Sequence, residues 1–176
     1  TGTDTMMFRK EYLTKIKDND NIYCTSAPYD KWGYAKDFIS VSAFSQNTVE
    51  NSKIVTFSSK ESIRLSSPDN WTNIINISNN AIEKNIVFIT DTPFYNIDSG
   101  EMTVWNHYMD LLKEKGKNIF VVSPGEESEI RVENGIRYLY VGSVGNCSIE
   151  SFDYDIEQSS PLMLYFKGDE IRYEFK

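Results

Sequence analysis

Apolar positions are most regularly ordered between Asn85 and Val141. Asn85–Thr90 (NIVFIT) and Asn118–Ser123 (NIFVVS) are continuous apolar runs, as expected of strands buried on both faces. Between them, Glu101–Lys115 predicts a helix, with Val104, Tyr108, Leu111 and Leu112 on one face. An acid leads this segment, lysines close it, and Gly116 follows where a left-handed residue ends a helix. Strand, helix and strand at this length imply a right-handed crossover and parallel pairing. Ser128–Glu133 and Ile136–Val141 then flank Asn134-Gly135, a strong short hairpin signal.

The flanks are read the same way. Phe8, Tyr12, Leu13 and Ile16 recur at helical spacing, and Asn21–Thr25 (NIYCT) reads as a short buried strand before a loop containing Pro28. Residues 36–57 predict two strands. One lies around Phe38, Val41 and Phe44, the other is Lys53–Phe57, and the polar SQNTVENS serves as the turn. Ser67–Asn79 predicts a helix with Pro68 in its first turn, Asp69 at its positive end, and Trp71, Ile74, Ile75 and Ile77 on its apolar side. Its asparagines and β-branched residues make it a weak helix. At the end of the chain, Leu162–Lys167 and Glu170–Phe175 form a second hairpin, with Ile171, Tyr173 and Phe175 on one face. The expected fold class is α/β: a central parallel βαβ unit in a mixed sheet, followed by antiparallel hairpins.

Composition narrows the function classes. With 176 residues and 40% hydrophobic content, the chain can bury one core, so a single domain spanning 1–176 is expected. The first residues lack the order of a signal peptide and the chain has no initiator Met, which suggests a fragment or processed piece of a longer chain. No apolar run reaches the length of a membrane span. Net charge is −8, with 10 basic and 10 acidic residues in 1–88 but 8 basic and 16 acidic in 89–176. That excess disfavours nucleic acid and anionic membranes as partners, both of which need a basic footprint. The Asn-, Lys- and Ile-rich composition suggests a bacterial origin, with a cell-surface or secreted location as the expectation.

Candidate chemistry is sparse. Cys24 and Cys147 have no metal-ligand spacing, and the sequence leaves open whether they pair or remain free thiols. The one histidine, His107, lies inside the predicted helix Glu101–Lys115 rather than on a loop. No nucleophile elbow or phosphate-cradling glycine pattern occurs. Asp91, Glu126 and Glu127 follow the two predicted parallel strands, at the carboxyl ends where open α/β sheets build sites. They could be solvated loop acids, hold a Ca²⁺ or Mg²⁺ ion, or act as an acid/base pair. Tyr29 and Asp30, with Trp32, form an aromatic–acidic loop that could meet a protein or carbohydrate partner, or in which Trp32 could instead cover an end of the core. Tyr95, Asp98, Phe152, Tyr154 and Asp155 could extend it into an aromatic rim of the kind found at interaction surfaces.

The pieces NIYCTSAPYD, NWTNII, NIVFITDTPFYN, KNIFVVSPGEES, VENGIRYLYVGS and MLYFKGDEIRYEF occur in an order that resembles the back portion of the calcineurin-like metallophosphoesterases. The resemblance begins at about Asn21 and covers most of the chain. It rests on order and spacing, and implies a metallophosphoesterase-like sandwich without its N-terminal part. That family binds two metal ions through His, Asp and Asn ligands and uses a histidine as proton donor. Here the Gly-Asn-His-Asp positions read Ala27, Pro28, Tyr29 and Asp30, and the loop before proline reads Thr90, Asp91, Thr92 and Pro93. The Gly-His-x-His loop reads Pro124, Gly125, Glu126 and Glu127. The resemblance therefore implies a degenerate, non-catalytic member that binds a protein or carbohydrate, or other domains of its parent chain, without a cofactor. The alternative is an active metal-dependent phosphoesterase whose ligands are completed by carboxylates or by an upstream segment.

Overall fold

The computed structural model describes residues 44–57, 68–90, 94, 99–125, 127–142 and 162–175. Strands β1 (Phe44–Val49), β2 (Ser52–Phe57), β3 (Asn85–Thr90), β4 (Asn118–Gly125), β5 (Glu129–Glu133) and β6 (Ile136–Gly142) form one sheet in the order β1-β2-β3-β4-β6-β5. The pairs β2–β3, β3–β4 and β4–β6 are parallel, and the two outer pairs are antiparallel. Helices α1 (Pro68–Asn80) and α2 (Ser99–Glu114) connect β2 to β3 and β3 to β4. Both lie against the same face. Two crossovers of one hand, stepping in one direction across the sheet, require this.

Side-chain alternation assigns the two faces. Ile86, Phe88, Ile119, Val121, Ile136 and Tyr138 point toward the helices and meet Ile74, Ile77, Trp105, Met109 and Leu112. Val87, Phe120 and Leu139 point the other way and are covered by the hairpin of β7 (Leu162–Lys167) and β8 (Glu170–Phe175). That hairpin is a separate two-stranded sheet, packed through Leu162, Leu164, Phe166, Ile171 and Tyr173. The result is helices, mixed sheet and hairpin in layers. Among the described residues, no helix is long and apolar enough to cross a membrane.

Three expectations need correction. The predicted turn over SQNTVENS is largely strand. Strand β1 runs through Gln46, Asn47 and Thr48, and the chain reverses at Glu50-Asn51, with Glu50 at φ 54°. A strand at the sheet edge tolerates polar residues because much of it faces water. The buried face of α2 carries Trp105, Met109 and Leu112, while Val104 is exposed. The large side chains of Trp105 and Met109 set the rotation of the helix. Strand β4 continues past Ser123 through Pro124 and Gly125. Pro124 is tolerated because pairing with β3 stops at Val122, so its missing N–H lies beyond that ladder.

A polar ladder fastens the amino end of the sheet. Asn118 Nδ2 donates to Asn85 Oδ1 (2.8 Å), and Asn85 Nδ2 lies 3.1 Å from both Ser52 Oγ and the Asp169 carbonyl. The Gly168 N–H donates to Glu50 Oε2 at 2.7 Å. These bonds hold the β7–β8 turn to the base of β2 and β3. Lys115 Nζ donates to the carbonyls of Ser78 and Asn79, closing the carboxyl end of α1.

Candidate functional site

The carboxyl ends of β3, β4 and β6 are where this topology would build a site. Of the five residues singled out from the sequence, Tyr29, Asp30, Asp91 and Glu126 lie outside the described residues. Glu127 is described and is exposed. Cys24, Cys147 and the proposed aromatic rim also lie outside the described residues. His107 sits exposed on α2, edge-on to Tyr108 at 5.1 Å.

What the described residues place at these strand ends is packing. Phe94 is fully buried against Trp105 (4.7 Å between ring centroids) and Tyr138 (5.4 Å). Phe88 meets Trp105 edge-on at 5.0 Å. Trp105 Nε1 donates to the Tyr138 hydroxyl at 3.4 Å. Burial pushes the Tyr138 phenol up to about 12, so it stays neutral across the physiological range. Ser123 is buried, and its hydroxyl accepts from the Phe94 N–H at 3.4 Å.

The connection from β4 to β5 crosses the end of β6 at close range. A side chain on Gly125 would come within 2.7 Å of Tyr140 Cβ, and one on Gly142 within 2.9 Å of the Ser128 nitrogen. The Gly142 N–H donates to Ser128 Oγ at 3.1 Å. Two glycines thus allow backbone to lie directly on backbone.

A two-metal phosphoesterase centre needs several imidazole, carboxylate and amide ligands converging on ions about 3.5–4 Å apart. The described strand ends supply Thr90, an engaged Ser123, Pro124, two glycines and one exposed carboxylate. They do not fit such a centre. Among the described residues, no group of three or more His, Cys, Asp or Glu side chains comes together.

A different polar site, missed in the sequence, lies between α1 and the β1–β2 edge. Phe44, Gln46, Lys53, Asn73, Asn76 and Asn80 line a cavity of ≈ 260 Å³. Beside it, Lys53 Nζ is 3.1 Å from Glu83 Oε1, and the Thr48 hydroxyl donates to the same oxygen at 3.2 Å. Burial raises the Glu83 pKa, but its own backbone N–H, Lys53 and Thr48 outweigh that and hold it below the usual carboxylate value. The asparagine spacing 73, 76, 80 was visible in the sequence. By itself that spacing means only poor helix propensity, and it is the pairing of β1 and β2 beside α1 that makes it the wall of a cavity.

Compared with known proteins, the chain matches no family model, no curated protein and no solved structure.

Proposed function

We propose that this chain is a degenerate relative of the calcineurin-like metallophosphoesterases that works as a non-catalytic binding domain within a longer bacterial surface or multi-domain protein. The order of elements supports the relationship. A tryptophan-bearing helix leads into β3, a second helix leads into a parallel β4, and two hairpins follow. One observation carries the loss of chemistry. The segment that would present Gly-His-x-His reads Pro124-Gly125-Glu126-Glu127 and begins within the last residues of β4, with Gly125 packed against Tyr140 and Glu127 exposed. A general acid or metal ligand must aim at a shared reacting centre. Glu127, the one described carboxylate at these strand ends, is exposed and does not by itself supply such a centre.

The test is hydrolysis of bis(p-nitrophenyl) phosphate by the purified chain in Mn²⁺, Zn²⁺, Mg²⁺ and Ca²⁺ separately. The expected result is no turnover above buffer. Metal-dependent turnover abolished by combined substitution of Asp30, Asp91, Glu126 and Glu127 with Ala would overturn this reading and establish a carboxylate-based phosphoesterase.

A further inference from the structure

We infer that the cavity between α1 and the β1–β2 edge is a binding site for a neutral carbohydrate, of the size of one pyranose unit. This deepens the reading of the chain as a binding domain and rests on that reading. It does not depend on the phosphoesterase relationship, because the cavity is remote in sequence from the loops that follow β3 and β4.

The asparagines are the first observation. Asn73, Asn76 and Asn80 recur at helical spacing along α1, so they share one face. Asparagine is a poor residue for a helix interior because its amide competes for backbone hydrogen bonds. Such a cost normally has a return within the fold, such as a cap or a side-chain bond. Here none is found: the amides of Asn73, Asn76, Asn80 and Gln46 make no hydrogen bond to another described residue, yet all four residues line one cavity. Three carboxamides on the helix face that borders β1 and β2, with Gln46 across from them, concentrate paired donors and acceptors at one cavity.

The chemistry of the lining indicates the ligand. Each carboxamide offers both a donor and an acceptor, which matches vicinal hydroxyl groups that do the same. Phe44 contributes an aromatic ring, whose negative face suits the C–H face of a sugar ring. The single cation, Lys53, is paired with Glu83 at 3.1 Å. Its charge is therefore largely matched, and the chain as a whole carries −8. Both facts favour an uncharged ligand over phosphate or another anion. A volume of ≈ 260 Å³ lies just below the range of about 300–1,000 Å³ for small-molecule pockets, so one ring fits. The exposure of Gln46, Asn76 and Asn80 leaves the cavity open to a longer glycan.

The test is an amide-resolved NMR titration of the whole chain with glucose, galactose, mannose and N-acetylglucosamine, and with inorganic phosphate as a separate arm. The double variant Asn73→Ala/Asn76→Ala is titrated in parallel. The proposal expects saturable shifts for at least one sugar at Gln46, Asn73, Asn76 and Asn80, with a dissociation constant of the order of millimolar. It also expects at least a tenfold loss of affinity in the double variant. Because Ala is the better helix former, that variant should melt about 2–4 °C higher than the parent chain. This separates a ligand-binding role from a structural one. Absence of shifts with every sugar overturns the inference. So do shifts with phosphate alone, sugar binding that survives in the variant, or a variant that melts lower than the parent. Failure here leaves the hydrolysis test untouched, since that assay reads the loops after β3 and β4, whose residues do not line this cavity.

Discussion

Asn118 Nδ2 donates to Asn85 Oδ1 at 2.8 Å, joining the first residues of two neighbouring parallel strands. Asn85 is fully buried, and its amide also reaches Ser52 and the carbonyl of Asp169 in the β7–β8 turn. One side chain thus ties β2, β3, β4 and the covering hairpin together. Asn85→Ala takes the partner from buried Ser52, half-buried Asn118 and the carbonyl of exposed Asp169, and a buried group left unsatisfied costs about 1–3 kcal/mol. The expected loss in urea unfolding is about 2–4 kcal/mol, together with faster amide exchange in β7 and β8.

Trp105 stands at the centre of the aromatic plug, with no exposed surface and with Phe88, Phe94 and Tyr138 around it. Trp105→Ala should cost about 3–5 kcal/mol in denaturant unfolding, through lost transfer energy and the cavity left behind. Tyr138→Phe removes only the acceptor of a long 3.4 Å bond and should cost about 1 kcal/mol or less. Equal effects of the two changes would contradict the view that packing, rather than this bond, holds the plug.

Glu83 supplies a pH dependence with a defined sign. Its folded pKa is lowered, because its own backbone N–H, Lys53 and Thr48 outweigh burial. A depressed carboxylate pKa gives stability that is fully present above the unfolded value of about 4.3 and is lost as pH falls through the folded value. Stability should therefore decline below about pH 5, and Glu83→Gln should flatten that decline. A variant whose acid limb superimposes on that of the parent chain would show that the Lys53–Glu83 pair contributes nothing measurable.

Strand β5 closes one side of the sheet with Val132 66% exposed and Ile130 44% exposed, both on the face away from the helices. An edge strand with exposed apolar residues templates association with other chains. Val132→Lys should reduce light scattering on concentration while changing unfolding free energy by no more than about 0.5 kcal/mol.

Legibility in the sequence follows burial. Strands β3 and β4 were readable because both faces of their middles are covered, so Ile86–Ile89 and Ile119–Val122 are apolar throughout. The Asn134-Gly135 turn was readable because both residues adopt positive φ (51° and 78°), a demand few residue types meet. Strand β1 was misread because a half-exposed edge carries Gln46, Asn47 and Thr48, which composition assigns to a turn. The face of α2 was misplaced because apolar residues surround much of that helix, and only contact with Phe88 and Phe94 selects Trp105. For the functional site, sequence order located the loops after β3 and β4, and Glu127 could be followed into the structure. The cavity at Asn73, Asn76 and Asn80 was not readable, because Gln46 and Lys53 come from strands that pairing, not sequence distance, brings beside α1.

A scaffold that binds without a two-metal centre should hold little metal, and its metal content is therefore the decisive measurement. The purified chain is dialysed against Mn²⁺ and against Zn²⁺, then against metal-free buffer, and retained ion is measured by elemental analysis. Well under one equivalent of either metal is expected. Retention of about two equivalents, the complement of a dinuclear hydrolase, would contradict that expectation.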